Sequence, residues 1–498
     1  MVRGSSSAVI QLPAKPANLP AYQWLRNSLQ DLILAGTLPP GLRIPATRDL
    51  ARQYGLARGT VLAAIDDLKS EGYLTARHGS GTYVSSVLPD TLLKSKRTRV
   101  AETEVSATKA REYRLSDFGS RLTPFSHFVQ PRTLAFRTNL PALDLFPTLL
   151  WNQVLTRRLR RRSTTSLLGC EAMGHPRLRA AVASYLRTSR GVICDAEQVL
   201  ILSGIQEAVD LASRILIDPG DNVALEDPGY PAARAAFLAA GAKIRPMRLD
   251  AEGAVINDRG VLGARLIYVT PGHQFPTGAT MSLRRRLALI EVARRGNSII
   301  FEDDYDSEYR YKSRPLSSLH GLDKHHSVIF AGSFNKVLFP SLRLAYIVVP
   351  PALVDVFLRA KHMMTRHHPL FEQEAVADFL EEGHFARHLR RMRKIYSERL
   401  ETLLDCSQTY LAGTLAMSQI EAGLQTTAQL ENGLLARDVA AAALRRNVDV
   451  VPVENYCFST GEYSRMLQIG FAAVDERNIR KGVTTLAQLL QEMKAGAA

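Results

Sequence analysis

At 498 residues with 46% apolar residues, the chain is too long for one ordinary core and too hydrophobic for wholesale disorder. A net charge of +15 and a pI near 9.7 favour a polyanionic partner. The four cysteines (Cys170, Cys194, Cys406, Cys457) are too scattered for a disulfide framework or a zinc site, no run of about 18 apolar residues predicts a membrane span, and the N-terminus lacks the apolar core of a signal peptide, so a soluble cytoplasmic protein is expected.

Residues 1–18, rich in Ser, Ala and Pro, read as a flexible lead-in. Residues 19–86 read as one small domain. Trp24, Leu25, Leu29, Leu32 and Ile33 have helical spacing, and the run from Gly36 to Gly41 breaks it. Thr47 is expected to cap a helix that Gly55 ends, and a second helix starts near Ala57 and runs to Leu68. Two helices about a tight glycine turn form a helix-turn-helix, and the alternating residues 72–84 around His78-Gly-Ser-Gly81 add a β-wing. In such a unit the second helix enters the major groove N-terminus first. Arg58 and Thr60 lie there, Arg48 opens the preceding helix, and His78 and Gly79 at the wing tip can approach a DNA backbone closely. A helical dimerisation module with incidental arginines is the alternative.

The stretch LILAGTLPPGLRIPATRDLARQYGLARGTVLAAIDDLKSEGYLTARHGSGTYV resembles the winged helix-turn-helix of GntR-family regulators over nearly its full length. The resemblance implies Arg48, Arg58, Thr60, His78 and Gly79 as DNA contacts. Gly59 stands where a polar residue is more usual.

Residues 87–115 carry Lys94, Lys96, Arg97, Arg99, Lys109 and Arg111 among few apolar residues and read as a hydrated basic linker. From 116 to 498 helical and strand patterns alternate, the signature of an α/β domain. Strands are expected at 199–202, 222–225, 243–246, 265–269, 298–301, 328–331 and 344–349, helices over 352–400, and a smaller α+β subdomain beyond. The absence of GxGxxG after the first strand disfavours a dinucleotide fold. Residues 151–162, WNQVLTRRLRRR, form a basic helical patch, either a solvated face or a phosphate-tracking surface.

The chemistry concentrates in VIFAGSFNKVLFPSLRLAYIVVP, 328–350. Lys336 sits in a turn between two buried strands. A desolvated amine there suits attack on an aldehyde, and the bland alternative is an exposed surface lysine. Ser333 and Arg343 beside it can hold a phosphate. Ser203-Gly204-Ile205-Gln206 follows a strand and opens a helix, presenting backbone N–H groups to an anion. Tyr230 lies beyond another strand's carboxyl end, as a stacking ring or a turn tyrosine. The loop 270–278 offers His273 and Gln274. In Phe301-Glu-Asp-Asp-Tyr-Asp306 the crowded acids call for facing cations, Asp303 suits a pyridinium nitrogen and Tyr305 a phenolate oxygen, with a metal site as rival.

Together the motifs SGIQEAVDL, EDPGYPAARAAFLAAG, YVTPGHQFPTGATMSLRRRLAL, FEDDYDSEYRY, SFNKVLFPSLRLAYIVVP and EGHFARHLRRMRKIYSER resemble the fold-type I pyridoxal-phosphate domain of class I aminotransferases. They most resemble the MocR-type subfamily, which fuses it to a GntR winged helix. The resemblance spans about 19–490. It implies a mixed, mostly parallel sheet and a head-to-tail homodimer. Lys336 becomes the Schiff-base lysine. Ser333, Arg343, Gly204, Ile205 and Gln206 become phosphate ligands, Tyr230 the stacking ring, Asp303 the pyridine-nitrogen partner and Tyr305 the neighbour of the ring oxygen. Phe275-Pro-Thr-Gly278 replaces Asn-Pro-x-Gly, so His273 or Gln274 substitutes for the usual asparagine. Asn335 replaces a common Ser, and no aromatic appears around Gly169-Cys170. Gln468 stands where transaminases carry the carboxylate-gripping arginine, which Arg465 replaces only through a register shift. The resulting expectation is a regulator that binds operator DNA and senses pyridoxal phosphate itself or an amino compound, controlling vitamin B6 or amino-compound metabolism. The alternatives are an aminotransferase with an accessory DNA-binding domain, and a DNA-binding protein whose larger domain is purely structural.

Overall fold

The computed structural model describes residues 10–16, 18–77, 80–88, 113–122, 133–161, 164, 168–256, 261–311, 317–431, 433–459 and 461–497. His78, Gly79, Arg162 and most of the expected linker lie outside these residues. The chain divides into two compact units, Met1–Tyr113 and Arg114–Ala498.

In the smaller unit α1 (Ala21–Leu34), α2 (Thr47–Tyr54) and α3 (Arg58–Ser70) precede a hairpin of β1 (Leu74–Arg77) and β2 (Gly81–Val84). Trp24, Leu25, Leu29 and Ile33 recur every three to four residues on α1, so one face is buried against Leu50, Val61, Ile65 and Leu68. Gly55 ends α2 in the left-handed region at φ 64°, where a Cβ would be strained. Thr47 does not cap α2. The helix begins at Thr47 itself, after Ala46, and no side chain caps it.

In the larger unit, leaving short helical turns unlabelled, α4 (Thr148–Arg160) and α5 (Pro176–Ser189) lead into β3 (Val199–Leu202), α6 (Ile205–Leu216), β4 (Asn222–Asp227) and α7 (Pro231–Ala239). Then come β5 (Lys243–Asp250), β6 (Gly253–Ala254), β7 (Leu266–Val269), α8 (Leu283–Gly296), β8 (Ile299–Asp304), β9 (Val328–Ser333) and β10 (Ala345–Val348). The strands form one sheet in the order β3-β10-β9-β8-β7-β4-β5-β6. Neighbours from β9 to β5 run parallel, and β10 is antiparallel to both β9 and β3. Because β10 reverses direction between them, β3 points the same way as β9. Six carboxyl ends, those of β3, β4, β5, β7, β8 and β9, therefore lie on one edge.

Alternate residues of the central strands enter different clusters, Tyr268 and Phe301 on one face and Ile267 and Ile300 on the other. Burial on both faces explains why these strands read as continuous apolar runs. Helices α9 (Val354–Met364), α10 (Leu370–Glu381) and α11 (His384–Tyr410) fill the region read as helical. A second sheet of β11 (Leu415–Met417), β12 (Gln425–Leu430), β13 (Val451–Pro452) and β14 (Met466–Gly470), in the order β11-β12-β14-β13, packs with α12 (Ala436–Arg445) and α13 (Glu476–Ala497).

The basic patch on α4 is partly structural. Asp378 on α10 is 1% exposed and draws in Arg157 at 3.1 Å, the Arg158 Nε at 2.6 Å and Arg177 of α5 at 3.0 Å. Although burial works to raise the pKa of Asp378, hydrogen bonds from the three guanidiniums hold it below the usual carboxylate range. Replacing this acid leaves three cations crowded around a void. Asp378→Ala should destabilise the larger unit by about 2 kcal/mol, allowing for the part-exposed arginines. A lowered urea midpoint at unchanged slope is the expected readout, and an unaltered midpoint would reject the assignment.

Candidate functional site

The common edge of the sheet gathers most of the residues singled out in the sequence. At the end of β9, Ser333 is buried and its Oγ accepts from the Asn335 N–H at 3.2 Å. Asn335 staples two turns together. Its Nδ2 donates to the Ser203 carbonyl at 3.1 Å, and its Oδ1 accepts from the Leu344 N–H at 2.9 Å. Ser203, Gly204 and the start of α6 are thereby drawn against the β9–β10 connection. A Cβ on Gly204 would touch the Arg343 guanidinium at 3.4 Å, so this cation lies directly against the turn that opens α6. Ile205 packs its side chain into the core, so only its backbone faces an anion, while Gln206 is exposed.

Lys336 is part-buried, and its Nζ donates to the Asn139 carbonyl at 2.9 Å. Burial lowers its pKa to about 8, against the opposing pull of Asp306 and Asp303. The loop beyond it is fixed by Tyr309, whose hydroxyl donates to the Val337 carbonyl at 3.0 Å, and by His388 on the same carbonyl at 3.1 Å.

The acids after β8 do not share one task. Glu302 accepts from the Leu319 and His320 N–H groups at 2.8 and 2.9 Å, Asp304 pairs with Arg190 at 2.7 Å, and Asp306 binds His273 Nδ1 at 2.9 Å. Asp303 accepts from the Tyr268 hydroxyl at 2.5 Å through one oxygen, and its other oxygen is buried without a partner. Burial pushes its pKa up to about 7. Among the described residues no cluster suits a metal ion.

Tyr230 begins α7 and meets Phe275 edge-on at 5.8 Å, while Phe275 also contacts Tyr305 at 6.1 Å and Tyr456 at 4.9 Å. Tyr305 reaches His273 Nδ1 at 3.2 Å, and the Nε2 of that ring is buried without a partner. Gln274 is not a free ligand. Its amide binds Glu226 at 3.2 Å, the Pro228 carbonyl at 3.0 Å and the Thr277 N–H at 3.1 Å, pinning its own loop.

Sequence reasoning missed Asn139 and Gln425. The Asn139 N–H donates to Gln425 Oε1 at 2.8 Å, joining β12 to the segment that holds Lys336. Arg465 lies outside β14, exposed, and the pairing of Gln468 with Thr427 leaves no register shift to bring it inward. In the smaller unit Arg48 and Arg58 are exposed in the first turns of α2 and α3, with Thr60 on the same first turn as Arg58. Neither arginine has an ion-pair partner among the described residues, and no side chain caps either helix. On the wing, Arg77 lies over the Tyr83 ring at 4.7 Å.

Residues 149–486 match the aminotransferase class I and II family, and residues 21–84 match the bacterial regulatory proteins of the gntR family. The probable rhizopine catabolism regulatory protein MocR of Rhizobium meliloti is 38% identical over 488 residues, 97% of this chain and 96% of its own. The HTH-type pyridoxine biosynthesis transcriptional regulator PdxR of Corynebacterium glutamicum is 28% identical, over 94% of this chain and 95% of its own. Among solved structures, the α-aminoadipate aminotransferase LysN of Thermus thermophilus, complexed with N-(5'-phosphopyridoxyl)-L-leucine, is similar with a TM-score of 0.69 at 29% identity. That likeness covers 76% of this chain and 98% of LysN.

The raised pKa of Asp303 has a stability signature. Between the ordinary aspartate value and about 7, the folded chain keeps a proton that the unfolded chain loses, so stability falls as pH rises through this window. Asp303→Asn should therefore raise the melting temperature of the ligand-free protein more at pH 8 than at pH 5. An equal gain at both values would show that the carboxyl is not held protonated.

Proposed function

Because this chain belongs to the MocR-type GntR regulators, which join a winged helix-turn-helix to an aminotransferase class I and II domain, we propose that it is a pyridoxal-phosphate-responsive, DNA-binding transcription regulator. The observation that carries the proposal is the pairing of needs in one cleft. Lys336 offers a desolvated amine lowered to about 8, and Asp303 offers a buried oxygen that lacks a donor. Pyridoxal phosphate answers both, and the Arg343 guanidinium beside Gly204 at the start of α6 would meet its phosphate.

In this reading Ser333, Arg343 and the backbone of Gly204, Ile205 and Gln206 hold the phosphate. Tyr230 packs on the ring, Asp303 holds a proton at the ring nitrogen, and Tyr305 with His273 attends the ring oxygen. When bound, the cofactor supplies an aldehyde that condenses with a primary amine and releases water. Lys336 would supply that amine, and its hydrogen bond to the Asn139 carbonyl holds it in the cleft. Residues 19–86 form the DNA-binding module, with Arg48, Arg58, Thr60, His78 and Gly79 on the duplex. Residues 87–115 form the linker and 116–498 the sensing domain. The protein acts in the cytoplasm as a head-to-tail homodimer. Occupancy of the cleft shifts operator binding through different affinities for two arrangements of the chain. The name of PdxR, a pyridoxine biosynthesis regulator, favours control of vitamin B6, and an amino compound that reacts at the cofactor is the other candidate signal. The competing reading, an aminotransferase that turns over amino acids, is disfavoured by Gln468, a neutral amide in place of a guanidinium.

The deciding measurement is titration of a DNA fragment, selected by the full chain from a random pool, with and without pyridoxal phosphate. A change of at least roughly tenfold in affinity is expected, which corresponds to about 1.4 kcal/mol of coupling. Indifference to the cofactor would reject sensing, and multiple turnovers of keto acid from an amino donor would favour the enzyme. Lys336→Ala should abolish both the visible absorbance of the loaded protein and the effect on DNA. In the wild type, the rate at which that absorbance develops should rise with pH about a midpoint near 8 rather than near the ordinary lysine value.

A further inference from the structure

The cleft has a second end, built by the small sheet. On β12 and β14, Gln425 pairs with Gly470 and Thr427 with Gln468, so these four residues share one face. Ala428, Leu430, Leu467 and Ile469 occupy the opposite face and enter the main core. The first face looks into the cleft, because Gln425 holds Asn139, which in turn holds Lys336. Gln468 on this face is fully buried. Its Oε1 accepts from the Tyr456 hydroxyl at 3.1 Å, and its Nε2 has no partner. An orphaned amide donor in a dry site is destabilising unless a ligand acceptor meets it.

The charges nearby decide what kind of ligand that is. Asp303, Asp306 and Asp449 bring carboxylates to the cleft, and Asp449 lies close enough to Tyr456 to help burial raise its pKa. Arg137, the guanidinium at this end, is paired with Asp449 at 2.7 Å. Arg343 lies at the other end beside Gly204. A ligand carboxylate brought against Gln468 would meet an amide, a phenol and neighbouring acids, and the guanidinium at this end among the described residues, Arg137, is already paired and cannot offset its desolvation. A hydroxyl or amide oxygen would accept from Nε2 at no such cost.

We propose that Gln468 and Tyr456 read the neutral, hydrogen-bonding end of an effector that is a primary amine bearing hydroxyl or amide groups and no carboxylate. The inference rests on the cofactor reading above, since the amine end is placed at Lys336. It is tested by calorimetric titration of the pyridoxal-phosphate-loaded full chain with matched pairs, serinol against L-serine and L-alaninamide against L-alanine. The neutral member of each pair should bind at least roughly tenfold more tightly. Gln468→Arg should invert the order, and Gln468→Leu, which removes both ends of the amide, should erase it. Retention of the cofactor's visible band reports that each variant is folded. Equal or reversed wild-type affinities, failure to bind either member included, would overturn the proposal, as would an order unmoved in both variants. Absence of the visible band from the loaded wild type would overturn the cofactor reading, and this inference with it.

Discussion

The larger unit depends on keeping an amine and an acid in one desolvated cleft without letting them pair. Lys336 donates a hydrogen bond to a backbone carbonyl, and Asp303 accepts one only from a tyrosine hydroxyl. A direct ion pair would quench both groups and stabilise an empty cleft. Holding them apart destabilises the ligand-free fold and preserves their capacity to bind. The surrounding structure sustains this arrangement because the strands leading to both residues are buried on two faces and cannot shift to bring them together.

The same constraint explains the division of labour among the acids at the end of β8. Four carboxyls in five positions repel unless each has its own counterpart. Arg190, His273 and a pair of backbone N–H groups relieve three of them, and the fourth is left facing the cleft. That fourth acid is the one whose charge a ligand can still change, because burial raises its pKa to about 7 and one of its oxygens is left without a partner. A regulator benefits from such a group, because any ligand that supplies a proton or a cation there gains affinity for one state of the chain, and only such a difference shifts a population.

Much of this was legible in the sequence because local chemistry announces it. Runs rich in Val, Ile and Leu ending in Ser, Asp or a Gly turn marked the strands of the sheet, and Lys336 between two of them was conspicuous. Strands β4, β5, β8 and β9 extend past the ends of the runs. Strand β8 continues through Glu302, Asp303 and Asp304, since backbone pairing persists where side-chain hydropathy changes. Contacts that span the chain were not legible. Asn139 reaches Lys336 through a backbone carbonyl, which has no sequence signature, and Gln425 reaches Asn139 from nearly three hundred residues away. Arg157 and Arg158 looked like solvent-facing charge because Asp378, which engages them, lies on another helix. Thr47 looked like a cap from composition, yet the backbone turns one residue earlier.

The amide of Asn335 bridges the turn after β3 and the connection that carries Lys336 and Arg343. Two hydrogen bonds of one side chain thus fix two turns that are more than a hundred residues apart in the chain. Losing that amide would release both at once, so the shape of the cleft hangs on a residue that need not touch a ligand.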